Sequence, residues 1–202
     1  MRRFPLAGLA TLAAGPASAH AFDAGADAYG QFVEGAAVVL TFPSILLPLL
    51  ALGLLLSLWD ENGLPRVWPV FLFGQGVGVL LAAVSGPGVG LFVLGLGIVT
   101  ATLAALLPRI PKVLAILLAG LGGVGALAAS LEGHGLFELP VFTHLGLLFG
   151  ANLATALAAG LCRLALQRID AHWMRIGWRV AASWIGAILL LTLAFDLTGG
   201  VS

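Results

Sequence analysis

The sequence predicts an all-α fold: a polytopic membrane helix bundle with six transmembrane helices after a cleaved signal peptide and with both ends periplasmic. The first observation is composition, because 60% of the 202 residues are hydrophobic and only 9% are charged, whereas a soluble domain has about 25% charged residues. The second is a series of apolar stretches near the ~20 residues that a helix needs to cross the hydrocarbon. The third is the distribution of Lys and Arg among the connections, which follows the positive-inside rule.

The first segment, residues 1–19, has the layout of a secretory signal peptide. A basic start is followed by an apolar run and by Ala17-Ser18-Ala19, an Ala-x-Ala pattern typical of a cleavage site. The alternative is an uncleaved first helix, but the apolar run is short for a hydrocarbon core of ~30 Å. We therefore expect cleavage before His20, which leaves residues 20–202 as a single six-helix transmembrane domain whose N-terminus is periplasmic.

The six predicted spans are joined by short connections that carry Gly and Pro, which interrupt helices. Continuous apolarity favours helices, since the strands of a membrane barrel alternate apolar and polar residues. The connection near 163–177 is the longest, and we expect a short interfacial helix there with Trp173 at the headgroup level. The predicted spans are 37–58, 67–84, 89–107, 113–131, 141–162 and 178–196.

Basic and acidic residues separate when alternate connections are assigned to opposite sides of the membrane. The basic side receives every Lys and Arg after residue 19: Arg66, Arg109, Lys112, Arg163, Arg168, Arg175 and Arg179. The other side receives acids and no cation: Asp23, Asp27, Glu34, Glu132, Glu138 and Asp196. This predicts a bacterial inner-membrane protein whose basic side is cytoplasmic. The zero net charge argues against nucleic acid as a partner.

Within the spans, small residues and prolines predict how the helices pack. Gly74 and Gly78 are four residues apart, as are other glycine pairs, and such pairs allow helix backbones to approach closely; mobile helices are the alternative interpretation. Pro43 and Pro48 predict a kink or local unwinding of the first span.

Few polar groups lie deep in the predicted spans. Gln75 and Asn152 do, and we expect these amides to be satisfied by each other or by a helix backbone. Cys162, the one cysteine, is expected to be a small buried apolar residue. No Gly-x-Ser-x-Gly or His-Glu-x-x-His pattern is present in the sequence, and we do not interpret the chain as an enzyme.

The acidic side also carries three histidines, and together these groups predict a metal site. Carboxylates without a neighbouring cation concentrate cations, and imidazole with carboxylate suits nickel, cobalt, copper or zinc better than calcium. His134 and Glu138 would share a face if their loop is helical. The alternative is that the outer loops are acidic only because the positive-inside rule places the basic residues on the other side. The candidate ligands are His20, Asp23, Asp27, Glu34, Glu132, His134, Glu138 and His144.

Three segments give the chain a resemblance to the HupE/UreJ family: Leu46–Leu54, Glu132–Pro140 and Gly150–Ala156. That resemblance implies a nickel or cobalt permease, or an accessory membrane protein of hydrogenase or urease. The family's first span normally carries a His-Pro and then an Asp-His pair. Here Val38-Val39 and Ser44-Ile45 stand at those positions.

Two functions therefore remain open at the level of sequence. The first is a permease or other metal-handling protein that binds a divalent ion at its acidic side, with no firmly implied cofactor. The second is a non-transporting accessory or assembly subunit that packs through its Gly-rich faces against a membrane protein partner or a second copy of itself.

Overall fold

The computed structural model describes residues 27–86, 88–135, 138–169 and 171–199, and these residues form helices joined by short connections. Within them no strand occurs, which confirms the predicted all-α class. The helices are α1 (Ala28–Thr41), α2 (Pro43–Trp59), α3 (Gly63–Ala82), α4 (Val89–Leu106), α5 (Lys112–Ser130), α6 (Val141–Arg168) and α7 (His172–Gly199). By length and composition, α3 to α7 can each cross a membrane.

The first predicted span is two helices with a sharp break between them. α1 and α2 meet at 73° around Phe42, directly before Pro43, the first residue of α2. Proline has no N–H and disfavours helical geometry in the residue before it, so the break lies where the sequence predicts unwinding. Pro48, in contrast, lies within α2 and does not end it. Counted together, α1 and α2 provide a sixth membrane-length segment.

α2 is the central helix of the bundle. Most of its residues from Ile45 to Leu58 are buried, and it contacts each of the other six helices. Its sequence is apolar on all sides, as expected for a helix surrounded by other helices. The cavity that α2 shares with α4 and α5, beside Pro48 and Gly97, is only about 10 Å³, roughly the space of one water. The centre of the bundle is therefore filled.

Glycine contacts set the direction of the helix pairs. Gly74 of α3 lies against the carbonyl of Gly120 in α5, and Gly78 lies against that of Val124, so these two helices run in the same direction. A Cβ atom at Gly74 or Gly78 would collide with those carbonyls, which confirms the predicted close approach of backbones. Gly76, on the exposed face between them, meets nothing within 4 Å.

α1 packs along the first half of α6, also in the same direction. Gly146 lies on the carbonyl of Phe32 and Gly150, one turn later, lies near that of Ala36, which gives the direction. Gly35 lies on the carbonyl of Thr143 at the same crossing. The rings of Phe32 and Phe149 are 5.4 Å apart between centroids. α1 thereby covers the start of α6, whereas Gly53 of α2 contacts α6 farther along, at Thr155.

α7 packs against α4 in the opposite direction. Arg179 Nε donates to the carbonyl of Ala105 at 2.6 Å, near the end of α4, and Gly186 faces Ala101 one turn earlier. The side chain of Arg179 thus satisfies carbonyls that the end of an α-helix leaves without partners. α7 is otherwise peripheral, since few of its residues are buried.

The boundaries of the later spans agree with the sequence prediction, with one difference. A separate interfacial helix near 163–177 was predicted, but α6 continues to Arg168 and α7 begins at His172. The polar residues of that stretch extend the two helices, and no Pro or Gly interrupts residues 161–168, which continue α6. Trp173 is 62% exposed in the first turn of α7.

The two amides predicted to lie deep in the spans pair across the bundle as predicted. Asn152 Nδ2 donates to Gln75 Oε1 at 2.9 Å and to the carbonyl of Leu148 at 2.8 Å. Gln75 is completely buried. Cys162 is also fully buried, as expected.

Candidate metal site at the acidic end

The helix directions bring the acidic connections to one end of the bundle. The α3–α4 and α5–α6 connections, the start of α1 and the end of α7 lie there, whereas Arg66, Arg109, Lys112 and the α6–α7 connection lie at the other end. We call these the acidic end and the basic end. Two acidic residues described at the basic end are paired: Asp60 with Arg66, and Glu61 with Arg163 at 2.9 Å.

The loop after α5 holds three of the predicted ligands. The N–H of His134 donates to the carbonyl of Leu131 at 3.0 Å, which closes a four-residue turn. Gly133 has φ +83°. This conformation is strained for a residue with a Cβ atom, but glycine adopts it readily. Glu132, in this turn, has its carboxylate near Gly90 at the start of α4.

Glu138 closes the second part of the loop. Its carboxylate accepts the N–H of Gly135 at 2.7 Å, and its own N–H donates to the carbonyl of Gly135 at 3.2 Å. The described residues of the loop, 131–135 and 138–140, are not helical. His134 and Glu138 therefore do not share a helix face, and the condition attached to that prediction is not met, because the Gly133 turn ends α5.

Both described histidines at this end turn Nδ1 toward a backbone carbonyl. His144 Nδ1 lies 3.0 Å from the carbonyl oxygen of Pro140, and His134 Nδ1 lies 3.3 Å from that of Glu132. A carbonyl oxygen can only accept, so Nδ1 carries the proton and the lone pair of the neutral ring is on Nε2. Metal-binding histidines are commonly oriented in this way.

The remaining predicted ligands are distributed over other elements. Asp27 caps α1 by accepting the N–H of Gly30 at 2.7 Å. Glu34 is partly buried in α1, next to the contact of Gly35 with Thr143, and His144 follows Thr143 in α6. Asp196, an acidic residue of this end that was not among the candidate ligands, is exposed in α7. His20 and Asp23 lie outside the described residues.

Within the described ranges, no three His, Cys, Asp or Glu side chains come close enough together to hold a metal ion. The loop groups Glu132, His134 and Glu138 in sequence, and the α1–α6 contact places Glu34 and His144 beside one helix crossing. The metal site thus stays a prediction. Its described candidate ligands lie in two places, the loop after α5 and the crossing of α1 and α6.

One group of polar residues was not singled out from the sequence. His172, Arg175 and Arg179 lie at spacings of three and four along α7 and therefore share a face. They line two adjoining cavities at the basic end with Arg163 and Arg109. Their spacing could have indicated a shared helix face. It was missed because residues 163–177 were predicted to form a separate interfacial helix, which divides these residues between two elements.

Comparison with protein-family models, curated proteins and solved structures finds no match for this chain.

Proposed function

We propose that this chain is a metal-handling protein of the bacterial inner membrane, a permease or accessory of HupE/UreJ type that captures a divalent transition-metal ion at its acidic end. The observation that carries the proposal is the orientation of His134 and His144 by backbone carbonyls. A histidine whose Nδ1 donates to a carbonyl has its lone pair on Nε2, and this tautomer is a form that binds nickel, cobalt, copper or zinc. The neighbouring carboxylates raise the local concentration of such cations.

The proposal includes a topology. The broken α1–α2 segment and helices α3 to α7 cross the membrane as six spans, residues 1–19 are a cleaved signal peptide, and both ends of the mature chain are periplasmic. The separation of charges between the two ends supports this orientation, because Lys and Arg are retained on the cytoplasmic side.

The break between α1 and α2 offers a route for the ion from the acidic end. The carbonyls of Val39, Leu40 and Thr41 receive no backbone hydrogen bond within the described part of the chain. Interrupted helices in transporters use such carbonyls to coordinate ions at membrane depth. Because the centre of the bundle is filled, passage would require α2 to separate from α4 and α5.

The direct test is metal binding by the purified full-length protein, measured by calorimetry with nickel, cobalt, copper and zinc. We expect binding by the wild type and its loss in a His134→Ala/Glu138→Ala double variant. Glu138→Gln is an informative companion, since a glutamine oxygen can still accept the N–H of Gly135 while the negative charge is lost. Glu61→Gln, at the basic end, is the matched control for removal of a carboxylate and should bind as the wild type does.

Equal binding by the wild type and the double variant would overturn the assignment of the site to this loop. Absence of binding by the wild type for all four metals would overturn the metal-handling function itself. Loss of binding in Glu138→Ala but not in Glu138→Gln would show that the residue holds the loop and is not a ligand.

A second candidate function is a non-transporting accessory subunit, for which the outer face of α7 would be the contact surface. Large apolar side chains follow one face of this helix at intervals of three or four residues: Trp173, Ile176, Val180, Trp184, Ile188, Leu191 and Phe195, all exposed. Gly74 and Gly78, in contrast, are occupied inside the bundle. Affinity purification from native membranes with a Trp184→Ala/Leu191→Ala variant would distinguish the two functions: a partner retained by the wild type and lost by the variant supports the accessory role.

A further inference from the structure

We infer that the basic end carries a binding site for an anionic phospholipid, with the lipid phosphate seated between the end of α6 and the start of α7. This inference is independent of metal handling, since it involves the opposite end of the bundle. It is based on a cavity of about 330 Å³ lined by Glu61, Arg163, Leu166, Gln167, His172 and Arg175, among others.

The first step is an unsatisfied donor. Arg163 uses one terminal nitrogen to pair with Glu61 at 2.9 Å, but its Nε is buried and has no hydrogen-bond partner in the described structure. Buried polar groups in native proteins nearly always have a partner. Because this Nε is buried, a phosphate oxygen in the cavity that Arg163 lines would reach the N–H only after a shift of the side chain, and would then be an acceptor of the right charge.

The second step is charge. Arg175 lines the same cavity and has no ion pair within the described ranges. Glu61 is the one carboxylate among the described lining residues, and its side chain is 79% exposed; Asp170 lies outside the described residues. Among the described lining residues, Arg163 is paired with Glu61, which leaves the guanidinium of Arg175 and the imidazole of His172 as groups that can face an anion.

The third step extends the charged surface. A second cavity, of about 340 Å³, adjoins the first because both are lined by His172 and Arg175, and it adds Arg109 and Arg179. Arg179 is held in place by the carbonyls of Ala105 and Leu106. Two adjoining basic cavities between helices on one side of a bundle are a typical setting for phospholipid headgroups.

The fourth step concerns the apolar surface beside the cavities, which favours a lipid over a soluble phosphate. Exposed apolar side chains adjoin the basic residues: Leu106 and Leu107 line the second cavity and are 64% and 67% exposed. Leu164 of α6 and Ile176 of α7 are also exposed close to Arg163 and Arg175 in sequence. A ligand with a phosphate and acyl chains matches both surfaces, whereas a soluble phosphate would leave the apolar one uncovered.

The test is lipid binding by the full chain in detergent, with native mass spectrometry used to count retained phosphatidylglycerol against phosphatidylcholine. We expect preferential retention of phosphatidylglycerol by the wild type. An Arg163→Gln/Arg175→Gln variant should lose about fivefold in this preference per arginine, and about 25-fold in total. The control Arg66→Gln/Lys112→Gln removes the same charge at the same end but outside both cavities, and should keep the preference.

Three results would overturn the proposal: equal retention of the two lipids by the wild type, an unchanged preference in the cavity variant, or an equal loss in the control. A further arm titrates inorganic phosphate and glycerol phosphate against bound phosphatidylglycerol. Displacement at low millimolar concentration would assign the site to a soluble phosphate, whereas persistence supports the lipid. If the double variant does not fold, an Arg175→Lys and Arg175→Gln pair makes the same comparison, and a smaller loss for lysine is expected.

Discussion

At the scale of single residues, the polar groups inside this bundle are few and their hydrogen bonds are specific. Asn152 has two acceptors, Gln75 Oε1 and the carbonyl of Leu148. Gln75 has only one partner, because its Nε2 is buried without an acceptor, and Asn152 Oδ1 is likewise buried without a donor. The pair is therefore asymmetric. Without Gln75, Asn152 still donates to the carbonyl of Leu148, whereas without Asn152, Gln75 has no hydrogen bond.

This asymmetry predicts unequal effects of substitution. Asn152→Leu leaves the whole Gln75 amide unsatisfied and should lower the free energy of unfolding by about 1–3 kcal/mol. Gln75→Leu removes an unsatisfied donor and should have little effect, as should the double variant. Thermal unfolding of the purified proteins in detergent measures all three, and equal destabilisation by the two single substitutions would contradict the assignment.

The histidines at the acidic end show the same specificity. His144 is oriented by a carbonyl one helical turn earlier, that of Pro140, the N-cap residue of α6, whose oxygen also accepts the N–H groups of Thr143 at 3.1 Å and His144 at 3.4 Å. The sequence identified His144 as a candidate ligand but could not indicate its tautomer, since that depends on the conformation of the helix start.

At the scale of helices, glycine determines which surfaces meet. Gly74 and Gly76 are two residues apart in α3, yet only Gly74 contacts α5. Spacing alone identified the pair Gly74 and Gly78, because residues four apart share a helix face. It did not identify α5 as the partner, since α5 also has glycines that could have met any neighbour.

Alanine substitutions at these two positions should therefore differ in sign. Gly74→Ala places a methyl group against the carbonyl of Gly120 and should destabilise the protein by about 1–3 kcal/mol. Gly76→Ala meets nothing and should be neutral or stabilising by up to about 1 kcal/mol, because alanine favours the helix. Denaturant titrations followed by circular dichroism would measure this difference, and equal stabilities would argue against the observed α3–α5 contact.

At the scale of the whole molecule, composition and charge were sufficient to predict an all-helical chain with membrane-length segments. The positions of α3, α4 and α5 follow from apolar runs bounded by Gly and Pro. The bend at Phe42 was predictable in kind from Pro43, but its angle was not, because it depends on how α1 packs on α6 through Gly35 and Gly146.

The candidate metal site was less predictable than the fold. Loop residues such as Glu138 were identified by residue type, but the turn at Gly133 and the hydrogen bond to Gly135 depend on local backbone geometry. The basic cavities depend on where α6 ends and α7 begins, and a pattern of apolar residues does not determine such ends.

Charge separation between the two ends predicts the orientation of the whole molecule. In a Cys162→Ala background, Gly86→Cys at the acidic end should react with a membrane-impermeant maleimide added to intact cells. Gln167→Cys at the basic end should react only after the membrane is permeabilised. Both positions are exposed in the structure, so each has access to the reagent, and the reverse pattern would show that the acidic end faces the cytoplasm.

The central claim is that histidine at the acidic end binds a transition metal, and X-ray absorption spectroscopy of the nickel-loaded protein tests it most directly. The account predicts imidazole scattering in the outer shells of the wild-type spectrum. This signal should decrease in a His134→Gln/His144→Gln variant and should be unchanged in His172→Gln, the matched histidine at the basic end. A spectrum of oxygen ligands alone, or imidazole scattering that depends only on His172, would contradict the claim.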